Sequence, residues 1–122
     1  MENNEPEKSL TLSTLADDLT RHLDRTRLWE DGRVIMIKAF ISNIGDLEIH
    51  VYSDHYPAHF HVISKQRGIN ARFSLDSCEL LNIKDGKKKI KSDDVKKIRA
   101  YFEWYPNKLD FLRKEYLRLN KN

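Results

Sequence analysis

The sequence predicts an α+β fold: a small antiparallel sheet of three to five strands, helices packed on one face, and an extra helix at the N-terminus. Three observations carry this. Leucines recur at helical spacing near the N-terminus. Several short segments in the middle of the chain alternate apolar and polar residues. Two further helix-spaced stripes close the chain on either side of Pro106.

Each element follows from local pattern. Residues 1–8, "MENNEPEK", are polar, contain a proline and lack periodicity, so they are expected to be disordered. Residues 9–122 then form one domain, since 122 residues suffice for one modest core. A helix is expected over 9–30, with Leu12, Leu15, Leu19 and Leu23 on one stripe. Thr14 and Asp17 make a T-x-x-D capping pattern, and Asp17 and Asp18 suit the positive end of the helix dipole. The stripe must be covered by this domain or by another chain.

"EDGR" reads as a turn, and "VIMIKAFI" as a strand because it is rich in β-branched residues. "LEIHVY" alternates, with Leu47, Ile49 and Val51 opposite Glu48, His50 and Tyr52. "HFHVIS" sets Phe60 and Val62 against His59, His61 and Ile63. "KQRG" is a hairpin turn. "INARFSLD" sets Ala71, Phe73 and Leu75 against Asn70, Arg72, Ser74 and Asp76, and "ELLNI" holds a further short strand. "KDGKKKIK" reads as a solvated basic loop. Ser92 is expected to cap a helix with Asp93 and Asp94 in its first turn and Val95, Ile98, Phe102 and Tyr105 on its apolar face. Pro106 ends that helix or starts the last, which carries Leu109, Leu112, Tyr116 and Leu119.

Bulk properties narrow the function class. Charged residues make 34% of the chain and the net charge is +3, which is compatible with nucleic acid or an acidic partner and demands neither. The single cysteine, Cys78, cannot form an internal disulfide, and no apolar run is long enough to span a membrane. A cytoplasmic location is expected, with no membrane partner.

Three of the five histidines fall within "DHYPAHFHV". If the three alternating segments are neighbouring strands, their polar residues share a face: Glu48, His50, Tyr52, His59, His61, Asn70, Arg72, Ser74 and Asp76. Three chemistries fit such a face. His59 and His61, two apart on a strand, with His50 or His55 as a third ligand, suit zinc or another divalent metal. His59 and His61 with Arg72 suit metal-free acid–base cleavage of RNA. The histidines also suit a structural role, bonding across the sheet and pinning the loop. The lysines Lys87, Lys88, Lys89, Lys91, Lys96 and Lys97 suit phosphate contacts, so nucleic acid stays among the candidate partners.

"DHYPAHFHV", "GINARFSLDSCELL" and a helix bearing "RAYFEWY" together resemble the prokaryotic domains of unknown function numbered 4160. That signature runs approximately D-H-x-P-P-H-F-H-V, then Y-x-A-x-I-x-I-x-T-G-E-L-L, then a helix with W-x-x-x-H. Asp54, His55, Pro57, His59, Phe60, His61 and Val62 fall on it, as do Ala71, Glu79, Leu80 and Leu81. Ala58 replaces the second proline and Cys78 the turn glycine. Tyr101 stands in the place of the helix tryptophan and Tyr105 in that of the helix histidine. The resemblance covers a core over 34–114, and the N-terminal helix is extra to it. Such proteins are often encoded beside a small partner, in pairs that look like toxin–antitoxin modules. The resemblance therefore implies a protein partner, for which the N-terminal helix is available. A non-catalytic interaction module with structural histidines is the alternative reading.

Overall fold

The leucine stripe is satisfied within the chain. The computed structural model describes residues 10–37, 46–52, 57–81 and 89–120, and in it helix α1 spans Leu12–Arg25. Leu15, Leu19 and Leu23 are each at most 3% exposed. Burying each of them contributes about 1.5–3 kcal/mol. The helix starts one turn before the expected cap. Thr11 is the N-cap: its Oγ1 accepts from Thr14 N–H while the Thr14 hydroxyl accepts from Thr11 N–H. Thr14 is therefore the inner partner of a capping box, and Asp17 and Asp18 lie beyond the first turn, which has no acid.

The helix also ends earlier than 30. Thr26 turns extended, and its hydroxyl donates to the His22 carbonyl at 2.8 Å. Thr26–Leu28 becomes strand β1, which pairs antiparallel with β2, Val34–Met36. Gly32, at φ +90, allows the turn between them to close. A three-residue strand has no periodicity of its own, and its partner supplies the structure. The second half of the expected strand "VIMIKAFI" lies outside the described residues, as do residues 1–8.

A separate four-stranded antiparallel sheet has the order β3–β4–β5–β6: Glu48–Val51, His59–Ser64, Ile69–Ser74 and Leu80–Leu81. The expected alternation holds. Ile49, Val51, Phe60, Val62, Ala71 and Phe73 form the inner face, each at most 7% exposed. The turn over 65–68 carries Gly68 at φ +70.

Helix α2, Ser92–Trp104, and helix α3, Pro106–Asn120, complete the fold. Ser92 is the first helical residue rather than the cap. Lys91 holds the cap position and gives no side-chain hydrogen bond, while Asp93 and Asp94 do sit in the first turn. Ile98, Tyr101 and Phe102 are buried. Tyr105, expected on the apolar face, caps the helix and is 40% exposed, because Pro106 begins a new helix there and redirects the chain. Leu109 and Leu112 are buried and Tyr116 is half-buried, whereas Leu119, in the last turn, is exposed. Tyr101 donates to Asp18 Oδ2 at 2.5 Å, tying α2 to α1. Arg113 donates to the carbonyls of Leu75 and Asp76, tying α3 to the end of β5. No helix among the described residues is long and apolar enough to cross a membrane.

Candidate functional site

The face of the four-stranded sheet turned away from the core is organised by strand register. Directly paired residues in an antiparallel sheet share a face. One row runs His50–His61–Arg72–Leu81 across four strands. The next runs Glu48–Ile63–Asn70, and Lys89 extends it through a bridge to Asn70. A third pairs His59 with Ser74. The strands expected to be neighbours are neighbours, and His50, His61 and Arg72 lie side by side.

Each histidine here has at least one nitrogen committed. The Asn70 amide oxygen can only accept, so His61 donates to it from Nε2, at 2.6 Å. That leaves Nδ1 as the basic nitrogen of His61. His50 donates from Nε2 to Glu48 Oε1 at 3.0 Å. His59 donates from Nδ1 to the Pro57 carbonyl at 2.9 Å and is only 6% exposed. It is thus tied to Pro57, with its neighbour Phe60 in the core. Tyr52 lies nearly parallel to the His50 ring, at 6.0 Å, and meets His61 edge-on at 6.5 Å.

The electrostatics favour a neutral His61. Loss of water lowers its pKa, the Asn70 bond opposes this, and the charges of Arg72, His50 and His59 lower it further. At neutral pH His61 is a base with a free lone pair. Arg72 adds a cation whose Nε is buried and has no hydrogen-bond partner among the described residues. A buried donor left unpaired costs free energy, and an incoming acceptor would recover it. The face therefore combines a neutral imidazole base, a guanidinium and the neighbouring Lys89.

His55 and Asp54 lie outside the described residues. Among the described residues no group of three or more His, Cys, Asp or Glu side chains is placed to hold a metal ion. Of the basic loop, Lys89 and Lys91 are described. Lys89 was expected in a solvated turn, but its backbone exchanges two hydrogen bonds with Asn70, at 2.7 and 2.9 Å. The signal was present in "KIK": Ile90 packs against the core, so Lys89 and Lys91 point the other way. The remaining histidine, His22, is 5% exposed, far from this face in sequence and wedged between Tyr101 and Trp104. It donates from Nε2 to the Lys97 carbonyl at 2.9 Å.

Burial is also the main cause lowering the His22 pKa. A histidine with a depressed folded pKa takes up fewer protons folded than unfolded, so acid favours unfolding. Both His22 and His61 act in this direction. Stability is expected to be complete above the ordinary value of 6.5 and to fall as the pH drops below it. Urea midpoints at pH 7.5 and 5.5 check the sign, and a higher midpoint at pH 5.5 would contradict it. In an NMR titration Arg72→Gln is expected to raise the His61 midpoint.

A family model described as "Domain of unknown function (DUF4160)" matches residues 47–110, which span the four-stranded sheet, α2 and the start of α3. Comparison with curated proteins gives no match, and neither does comparison with solved structures.

Proposed function

The chain belongs to the DUF4160 family of domains of unknown function, and we propose that it acts as one member of a toxin–antitoxin-like pair, cleaving RNA on the polar sheet face without a metal. The observation that carries this reading is the row His50–His61–Arg72, in register across three strands. His61 Nδ1 takes the proton from a ribose 2′-hydroxyl. The 2′-oxygen attacks phosphorus, and the bond to the 5′-oxygen breaks. Arg72, its Nε lacking an acceptor among the described residues, stabilises the phosphate oxygens in the transition state. His50, bonded to Glu48, returns a proton to the leaving 5′-oxygen. A 2′,3′-cyclic phosphate results. His59 holds the Pro57 carbonyl, and Lys89 adds attraction for the backbone.

A metal-bound version uses His50, His59, His61 and His55 around zinc or another divalent ion. The acid–base version is preferred because Arg72 lies in register beside His61 and, among the described residues, no three His, Cys, Asp or Glu side chains are placed to hold a metal ion. A small protein partner belongs to the same reading. On the N-terminal helix it would meet the polar side, since the leucine stripe is buried by this chain.

The test is RNA cleavage by the purified chain in excess EDTA. His61→Ala and Arg72→Gln are each expected to slow it about 10²–10³-fold while leaving the thermal melt nearly unchanged. Cleavage abolished by EDTA and restored by zinc would favour the metal-bound version. Cleavage, or growth arrest on expression, that survives loss of both side chains would overturn the site.

A further inference from the structure

A concave surface lies apart from the residues of the histidine face. It is a cleft of about 710 Å³ between the β1–β2 hairpin, the turn after β5, and helices α2 and α3. That volume is in the range of small-molecule sites, roughly 300–1,000 Å³. Its wall on α2 is cationic. Lys96 and Arg99, three residues apart, occupy neighbouring positions on one helix face. Neither makes an ion pair with a carboxylate among the described residues, whereas Arg33, on the hairpin rim, is bonded to Asp31. Glu103 is the single acidic residue of the lining. Two unneutralised cations side by side repel each other, and a bound anion relieves that repulsion.

Beside the cations stands a flat apolar surface. Trp104 lines the cleft and is 38% exposed. Its ring is held edge-on against buried His22 at 5.1 Å, so a ligand would meet an indole already fixed in place. The cleft floor includes Phe102, Leu109 and Cys78. Cys78 is buried, and its thiol is pushed up to about 11 by loss of water, so it is a neutral part of the lining and no nucleophile.

We propose that this cleft binds a nucleoside monophosphate, with Lys96 and Arg99 on the phosphate and Trp104 against the base. Guanidinium and ammonium groups supply charge-assisted bonds to phosphate oxygens. An exposed indole supplies a stacking surface that accepts any base. The argument is independent of RNA cleavage on the sheet face, because the two sites share no residue.

Calorimetric titration of the full chain with AMP, GMP, CMP and UMP, and separately with adenosine and inorganic phosphate, tests it. At least one nucleotide is expected to bind with Kd below about 1 mM, and adenosine and phosphate about tenfold more weakly. The double substitution Lys96→Gln/Arg99→Gln is expected to weaken binding at least about tenfold. Glu103→Gln is expected to tighten it about two- to fivefold, a gain that misfolding cannot imitate. His61→Gln is expected to change nothing. Absence of heat with all four nucleotides at millimolar concentration would overturn the proposal. So would binding indifferent to the double substitution, or binding lost with His61. An RNA oligonucleotide that binds while every mononucleotide is silent would also overturn it. If the double variant loses its helical circular dichroism, Glu103→Gln and Trp104→Phe decide: unchanged affinity in both overturns the site.

Discussion

Phe60→Ala is expected to lower the unfolding free energy by about 3–5 kcal/mol. Phe60 is 0% exposed. Its ring stacks on Phe73 at 5.5 Å and meets Phe102 edge-on at 5.2 Å, so it joins β4 to β5 and the sheet to α2. Truncation removes apolar area and leaves a cavity that three elements cannot close together. Phe60 also separates His59 from His61 along β4, so its anchorage sets where both imidazoles stand. Denaturant unfolding checks the magnitude. A loss below about 1.5 kcal/mol would mean that the core collapses around the gap. Phe60→Leu is expected to lose less than Phe60→Ala, since most of the volume remains.

Arg67→Met is expected to cost about 2 kcal/mol, less than a fully buried ion pair because the guanidinium and Asp24 keep some solvent. Arg67 sits in the β4–β5 turn. Its Nε donates to Asp46 at 2.8 Å and its Nη2 to Asp24 on α1 at 2.9 Å. Ser64 donates to Asp46 as well, at 2.7 Å. The Asp46 side chain is only 9% exposed, so removing Arg67 strands a carboxylate away from water. Asp46→Asn on top of Arg67→Met is expected to recover part of the loss, because it removes the stranded charge.

The same network has a pH signature. Burial alone would raise the Asp46 pKa, but hydrogen bonds from Arg67 and Ser64 and the Arg67 charge overcome it, and the net direction is down. A depressed carboxylate contributes stability above its unfolded value and loses it as the pH falls through its folded value. The parent is therefore expected to lose more stability than Arg67→Met between pH 5 and pH 2. Parallel acid titrations of the two would contradict this origin.

The alternating segments made much of the sheet legible. Period-two patterning in "LEIHVY", "HFHVIS" and "INARFSLD" separates two faces, and a slip of one residue would bury charge, so the polar face could be read in advance. The leucine spacing of α1 was equally plain. The N-cap was misplaced because two Thr-initiated patterns lie one turn apart, and capping is decided by which backbone N–H is left without a partner. Tyr101 and Tyr105 show the same limit. Tyr101 is buried against α1, bonded to Asp18 and beside His22, whereas Tyr105 lies past the last turn of α2, where Pro106 redirects the chain.

The sequence by itself determined the fold class, the helical stripes and the grouping of His50, His59, His61 and Arg72 on one sheet face. These depend on periodicities of two and 3.6 residues, which are local. Only the tertiary structure decided that β1 exists, that Lys89 joins Asn70 beside the histidines, and that Lys96, Arg99 and Trp104 line a cleft with the hairpin. It also decided which nitrogen of each imidazole is spent, since Asn70, Glu48 and the Pro57 carbonyl are brought up by register and turns. Those outcomes rest on which distant groups meet, and pairing between strands and packing between helices are set by the whole chain burying one common core.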